Sequence, residues 1–84
     1  MTKPTAAGQA ILTAVDNQLR GNDPPETKET YDRLRSLGHS DKDARKLIGS
    51  ALAIETFRIL KHGEQYNHSR YVANLRNLPV IPDD

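Results

Sequence analysis

The feature that most constrains this chain is the stretch from Ser40 to His62, which predicts one long helix. At about 100° per residue, its apolar side chains cover most of the circumference, as is typical of a helix that is buried on several sides. Ser40 followed by Asp43 is an N-cap pattern, and Gly63 favours the left-handed conformation that ends a helix. We therefore expect a central helix that is packed by shorter helices or by a second copy of itself.

One carboxylate interrupts this apolar pattern. Glu55 falls in the stripe that contains Ala51 and Ile59, and Arg58 and His62 share that side of the helix. An isolated buried charge is costly, so Glu55 must be paired, protonated or at a surface. We treat Glu55, Arg58 and His62 as candidate ligand-binding residues. The alternative is a structural role, in which Glu55 pairs with an arginine or a tyrosine hydroxyl of another helix.

Length and composition exclude several classes of protein. The 84 residues predict a single domain, 1–84, and the lack of cysteine excludes disulfides and thiol chemistry. Such a composition fits a reducing cytoplasm. The formal net charge of +1 argues against a dedicated nucleic-acid binder. The longest uncharged run of the central helix, 47–54, is too short to span a membrane, and no targeting signal follows Lys3.

Apolar periodicity and capping signals predict three further helices, and the fold class is therefore all-α. We expect a small four-helix domain with a long central third helix, and helices at about 5–20, 24–37, 41–62 and 68–77. Asp23 is the expected cap of helix two, with Pro24 at the first helical position and Glu26 reaching back to the cap. Residues 1–4 and 82–84 should be flexible.

The same periodicity predicts which side chains point inward. Helix two should bury Thr27, Thr30, Tyr31, Leu34 and Leu37, and helix four should bury Tyr71, Val72, Leu75 and Leu78. In the tail that follows Pro79, we expect Val80 or Ile81 to touch the core.

The net positive charge of the chain lies after residue 57, because basic and acidic side chains balance over residues 1–57. Residues 58–78 contain four basic side chains and one acidic one, so their net charge is 4 − 1 = +3. With Tyr66 as a stacking side chain, they form a candidate surface for nucleic acid or a phosphate-bearing ligand: Arg58, Lys61, Arg70 and Arg76. The alternative interpretation is an ordinary solvated face.

Catalytic patterns are weak. Glu55 and His62 could contribute to the metal site of a small enzyme, but they are two helical turns apart, further than the Glu-x-x-His spacing of known helical sites. The histidines, His39, His62 and His68, match no common zinc pattern. No serine lies in a strand–turn–helix elbow, and no glycine-rich phosphate loop occurs. We therefore predict no catalytic residue, no metal site and no cofactor.

A short segment carries a local resemblance. Residues 34–44 read Leu-x-x-Leu-Gly-His-Ser-x-x-Asp-Ala, which is similar to the helix–loop–helix of ubiquitin-associated modules. Those modules carry Phe or Tyr after the glycine, where this chain has His39, so the apolar loop contact used for ubiquitin binding is missing. The resemblance implies a helix–loop–helix architecture and no particular function.

A wider pattern resembles a family of small uncharacterised bacterial helical proteins, a domain of unknown function. It comprises the run 22–26, the joint 38–40, the segment 53–55 and the run 61–64, followed by Tyr71 and Pro79. The resemblance implies a bacterial cytosolic helical protein, and it carries over no catalytic residue.

Together these features favour a non-enzymatic protein-interaction module of the bacterial cytoplasm. Its partner would be another protein or a second copy, because Ala53, Phe57 and Leu60 give the central helix surplus apolar surface. One alternative is a weak nucleic-acid or phospholigand binder that uses the basic C-terminal half. A second alternative is a small metal-dependent enzyme centred on Glu55 and His62.

Overall fold

The structure, a computed structural model, describes residues 6–83. Over this range the chain forms four α-helices, α1 (Ala6–Gly21), α2 (Pro25–Ser36), α3 (Asp41–His62) and α4 (His68–Asn77). The all-α class with a long third helix is confirmed, and α3 and α4 have the predicted bounds. The first four residues, expected to be flexible, lie outside the described range, as does residue 84.

The helices α2 and α3 each pack against the other three helices, and the core lies along these contacts. Its fully buried members come from every helix and from the residue after α4: Val15, Leu34, Ala44, Ile48, Ala51, Tyr71, Leu75 and Leu78. The inward set predicted for α4 is confirmed in full, with Val72 at 7% exposure its least buried member. Burial of these stripes is the main driving force for folding.

Local capping explains why α3 and α4 begin and end where they do. The Ser40 hydroxyl oxygen accepts the Asp43 N–H at 3.1 Å, as the sequence predicts. Gly63 ends α3 with a φ of 64°, in the left-handed region that favours glycine. The Asn67 side chain accepts the Arg70 N–H at 3.0 Å and so caps α4.

The predicted start of α2 is wrong. Asp23 does not cap the helix; the residue before its first turn is Pro24, which has an extended backbone and makes no side-chain cap. The reason is the second proline, because a residue that precedes proline is driven away from the helical region. The helix therefore begins at Pro25. Glu26 does not reach back to the cap, and its Oε2 lies 3.5 Å from Nε2 of His68 instead.

Leu37 (61%) and Ile59 (41%), which helical periodicity places on apolar stripes, are exposed. Val80 (70%) and Ile81 (59%), one of which was expected to touch the core, are exposed as well. Leu37 follows the last helical residue of α2, and the tail is held out of helical geometry by prolines. For α3 the cause is length, since its 22 residues extend ~33 Å whereas the 10 of α4 extend ~15 Å. The C-terminal part of α3 is thus only partly covered.

Polar contacts join α4 to the first two helices. The Tyr71 hydroxyl, in a fully buried side chain, donates to Oε1 of Gln18 at 2.7 Å, and the Thr27 hydroxyl donates to the same oxygen at 2.8 Å. At the other end of α4, the Arg33 guanidinium donates to the carbonyls of Leu78 (2.8 Å) and Leu75 (3.0 Å). These bonds give carbonyls at the C-terminal end of α4 a charged donor from α2.

Among residues 6–83, no helix combines the length and the hydropathy that crossing a bilayer requires.

Candidate functional site

The Glu55 carboxylate is buried, with 1% of the residue exposed, and it is fully engaged by donors of the protein. Its Oε1 accepts the Asn67 N–H at 2.9 Å and Nη2 of Arg70 at 3.1 Å, and its Oε2 accepts Nε of Arg70 at 2.5 Å. The side-on, two-point contact is the strongest form of an arginine–carboxylate pair. Glu55 is thus paired with an arginine of another helix, which is the structural arrangement that the sequence allowed.

A second carboxylate extends this pair. Glu64 accepts Nη1 of Arg58 at 3.1 Å on one oxygen and Nη1 of Arg70 at 3.1 Å on the other. These two hydrogen bonds, that of Arg58 first, lower the pKa of Glu64. The hydrogen bond to Glu55 raises the pKa of Arg70 further above its already high value. We call the five residues Glu55, Arg58, Glu64, Asn67 and Arg70 the acid–arginine network.

The acid–arginine network ties the end of α3 to the start of α4. Glu55 belongs to α3 and Arg70 to α4, while Glu64 and Asn67 lie on the connection between them. All four carboxylate oxygens of the network accept bonds from the protein itself. A buried pair of this kind satisfies charges that would otherwise be costly, and it fixes the position of one helix on the other.

The three candidate ligand-binding residues do not converge. Arg58 reaches Glu64 rather than Glu55. His62 is exposed, and its ring meets the edge of Phe57 with the centroids 5.7 Å apart. The residue that joins Glu55 is Arg70, which the sequence assigned only to the basic surface. Ligand binding by Glu55, Arg58 and His62 stays a prediction.

The basic residues of the C-terminal half are divided between different environments. Arg58 and Arg70 belong to the acid–arginine network. The Lys61 ammonium lies 5.2 Å from the centre of the Phe57 ring, and Arg76 is exposed at the other end of α4. Tyr66 is 47% exposed, and its hydroxyl lies 2.9 Å from Nδ1 of His68. The nucleic-acid alternative likewise stays a prediction.

Metal ligands do not cluster in the part of the chain that the structure describes. Within residues 6–83, no group of three or more histidine, aspartate or glutamate side chains is arranged to hold an ion. His68 contacts Glu26, and His62 contacts an aromatic ring.

The second notable feature is an open apolar groove of about 470 Å³ between the start of α1 and the C-terminal half of α3. We call it the α1–α3 groove. On its α3 wall, Leu60 is 81% exposed and Phe57 is 40% exposed. Among residues 6–83, its lining contains one charged side chain, Lys61: Ala7, Gly8, Ile11, Ala53, Thr56, Phe57, Leu60 and Lys61. The Thr56 hydroxyl is already bonded, since it donates to the Leu52 carbonyl at 3.1 Å.

The groove exists because of the way α1 crosses α3. The helices run antiparallel, since Asp16 pairs with Arg45 near the start of α3 whereas Ala7 borders the groove near its end. They are in close contact at Gly49, where an added Cβ would lie 3.3 Å from Cγ2 of Ile11. Beyond it, the first residues of α1 are too small to cover the large side chains of α3.

Sequence reasoning identified only one wall of this groove. Ala53, Phe57 and Leu60 are predicted as surplus apolar surface, and all three are exposed. The α1 wall was missed, although the small residues over 6–8 are a signal for a shallow surface at that end.

The fold and its contacts define a small all-α domain that combines a closed ionic network with an open apolar groove. A scan against models of known protein families, a search of curated proteins and a search of solved structures each returned no match. The two resemblances noted in the sequence therefore stay predictions.

Proposed function

We propose that this chain is a non-enzymatic protein-interaction module that binds its partner through the α1–α3 groove. The observation that carries the proposal is the exposure of Leu60, 81%, in a groove lined almost entirely by apolar side chains. Clustered apolar surface of this kind marks interaction sites in small folded domains, whereas isolated exposed side chains do not. Covering one such leucine contributes ~2 kcal/mol to binding.

The chemistry of the lining favours a protein partner over a polar metabolite. Small-molecule sites combine an apolar wall with several convergent polar groups that orient the ligand. In the described part of its lining, the α1–α3 groove offers two polar side chains, and both are engaged: Thr56 with a backbone carbonyl and Lys61 with the Phe57 ring. Apolar side chains presented by a helix suit this surface better.

The acid–arginine network is a second argument for a non-enzymatic role. Its carboxylates are occupied by arginine and backbone donors, so a substrate would have to displace strong internal bonds. A network closed in this way serves stability better than catalysis. The proposal includes residence in a bacterial cytoplasm, for which the support is the cysteine-free composition and the resemblance to a bacterial family.

A site-specific photocrosslinker tests this function in cells. We expect p-benzoylphenylalanine in place of Leu60 to give a discrete protein adduct after irradiation, because the side chain at 60 would lie against the partner. The matched control is the same replacement at Val80, which is 70% exposed but outside the groove. Absence of an adduct at 60, or the same adducts at both positions, would overturn the proposal.

A further inference from the structure

We infer that the partner in the α1–α3 groove is a second copy of this chain, paired antiparallel along α3 about a twofold axis. This inference rests on the proposed function and names its partner. It starts from the shape of the groove, in which a protruding side chain lies beside a shallow hollow. Leu60 stands out, whereas Ala7, Gly8 and Ala53 are small. A twofold contact needs such self-complementarity, because the same patch must both insert and receive.

The spacing of residues along α3 supplies a matching register. Ala53, Phe57 and Leu60 follow the i, i+4, i+7 spacing of a helix–helix seam. If the axis passes between Thr56 and Phe57, then Leu60 of one copy lies opposite Ala53 of the other. In the same register, Phe57 lies opposite Thr56. Each large side chain therefore faces a smaller one, which is how packed helices interdigitate.

Polar groups do not oppose this pairing. The Thr56 hydroxyl is bonded within its own helix, so covering it with an aromatic ring leaves no unsatisfied donor. Of the lining residues that the structure describes, Lys61 alone is charged. In the proposed register, the two copies of Lys61 are nine helical positions apart, ~13.5 Å at the rise of an α-helix. That distance exceeds the screening length of ~8 Å at physiological ionic strength, so their repulsion is weak.

The α1–α3 groove is small compared with a standard interface, which favours a dimer of moderate affinity. A standard interface takes ~800 Å² from each partner, roughly one seventh of the 5557 Å² surface of this chain. The groove covers only the centre of such an area. A helix from another protein would have to bring both a small residue opposite Leu60 and a large one for the hollow, whereas a second copy has both in register. We therefore expect the dissociation constant of the dimer to lie in the micromolar range.

The test is sedimentation of the purified chain from low micromolar to millimolar concentration. The expected species change from 9.4 kDa to twice that mass as the concentration rises. Leu60→Glu should weaken the dimer by at least about 100-fold, since it places a charge in the apolar centre of an interface. Val80→Glu, an equally exposed change outside the groove, should leave the dimer unchanged. Circular dichroism confirms that both variants are folded.

A swap of the large and small residues tests the register. Leu60→Ala and Ala53→Leu should each weaken the dimer by about tenfold or more, whereas the double variant should restore affinity to within about threefold, because each large side chain again faces a small one. Since the chain lacks cysteine, Thr56→Cys gives a second readout. It should form a disulfide-linked dimer readily, whereas Val80→Cys should not.

The outcomes separate this inference from the proposed function. A purely monomeric chain, or a dimer that survives Leu60→Glu, overturns the pairing. Failure of the double variant to recover affinity overturns the antiparallel register. If the chain is monomeric but the crosslinker at 60 captures a different protein, the interaction module stands and the second copy is the wrong partner.

Discussion

Replacing Arg70 with methionine should destabilise the fold strongly, because it leaves the buried Glu55 carboxylate with one donor, the Asn67 N–H. Removing one member of a buried ion pair costs ~3–5 kcal/mol. The Arg70 side chain retains 23% exposure, so water that enters its place reduces the cost to ~3 kcal/mol. A domain of 84 residues has a free energy of unfolding of only ~4–13 kcal/mol. The substitution therefore removes a large share of the free energy of unfolding.

Urea unfolding followed by far-UV circular dichroism measures this loss. A cost of ~3 kcal/mol corresponds to a fall of ~12–24 °C in the melting temperature of a domain of this size. Arg76→Met is the matched control, since it changes an exposed arginine of the same helix and should stay within ~0.5 kcal/mol of the parent protein.

A double-mutant cycle shows whether the loss comes from the unpaired charge. Glu55→Met combined with Arg70→Met replaces the pair by apolar groups of similar length, which is often nearly neutral. It still deprives the Asn67 N–H of its acceptor, so we expect a net cost of ~1 kcal/mol. The double variant should thus be more stable than Arg70→Met alone. A cost of under ~1 kcal/mol for Arg70→Met, or simple additivity of the two changes, would refute the reasoning.

Three further substitutions test other contacts by the same unfolding assay. Tyr71→Phe should cost ~1 kcal/mol, because it removes a buried hydroxyl that donates to α1, whereas Tyr66→Phe on the surface should cost less than half of that. Ser40→Ala should cost ~1 kcal/mol through loss of the α3 cap, and Ser36→Ala, at an exposed helical position, should not destabilise the chain. Arginine contacts lower the pKa of Glu64 below its ordinary value of 4.5, so its contribution is present above that pH and is lost as the pH falls through the lower folded value. Glu64→Gln should therefore flatten the acid side of the stability profile; identical profiles for the two proteins would contradict this assignment.

Local signals were sufficient to predict both boundaries of α3 and both boundaries of α4. The cap at Ser40 and the left-handed Gly63 act within one turn of the chain, so α3 could be placed to the residue. The predicted start of α2 was wrong for an equally local reason, because two consecutive prolines compete for the first helical position. The conformational restriction on the residue before proline outweighs the capping preference of Asp23.

The partner of Glu55 could not be derived in the same way. Helical periodicity places Glu55 on the buried side of α3, and the structure agrees. Which arginine pairs with it depends on the angle at which α4 returns along α3, and no local signal sets that angle. Arg58 is nearer to Glu55 in sequence, but its guanidinium donates to Glu64 on the connection. Arg70 reaches Glu55 from α4 instead.

The two features of α3 follow from a single mismatch of length. A helix of 22 residues with shorter neighbours leaves part of its surface without helical neighbours. The two sides of α3 differ in what covers that part. On one side, Glu55 accepts donors from the returning chain, so the acid–arginine network closes that face. On the other side, the groove that Leu60 lines is bordered by the small residues Ala7 and Gly8 of α1, and Leu60 stays exposed. The network also holds the last turns of α3 against α4, so the exposed face is presented as a fixed surface. A partner that binds a fixed surface loses less conformational entropy than one that must first order it, which is why a groove of modest area suffices for the proposed pairing.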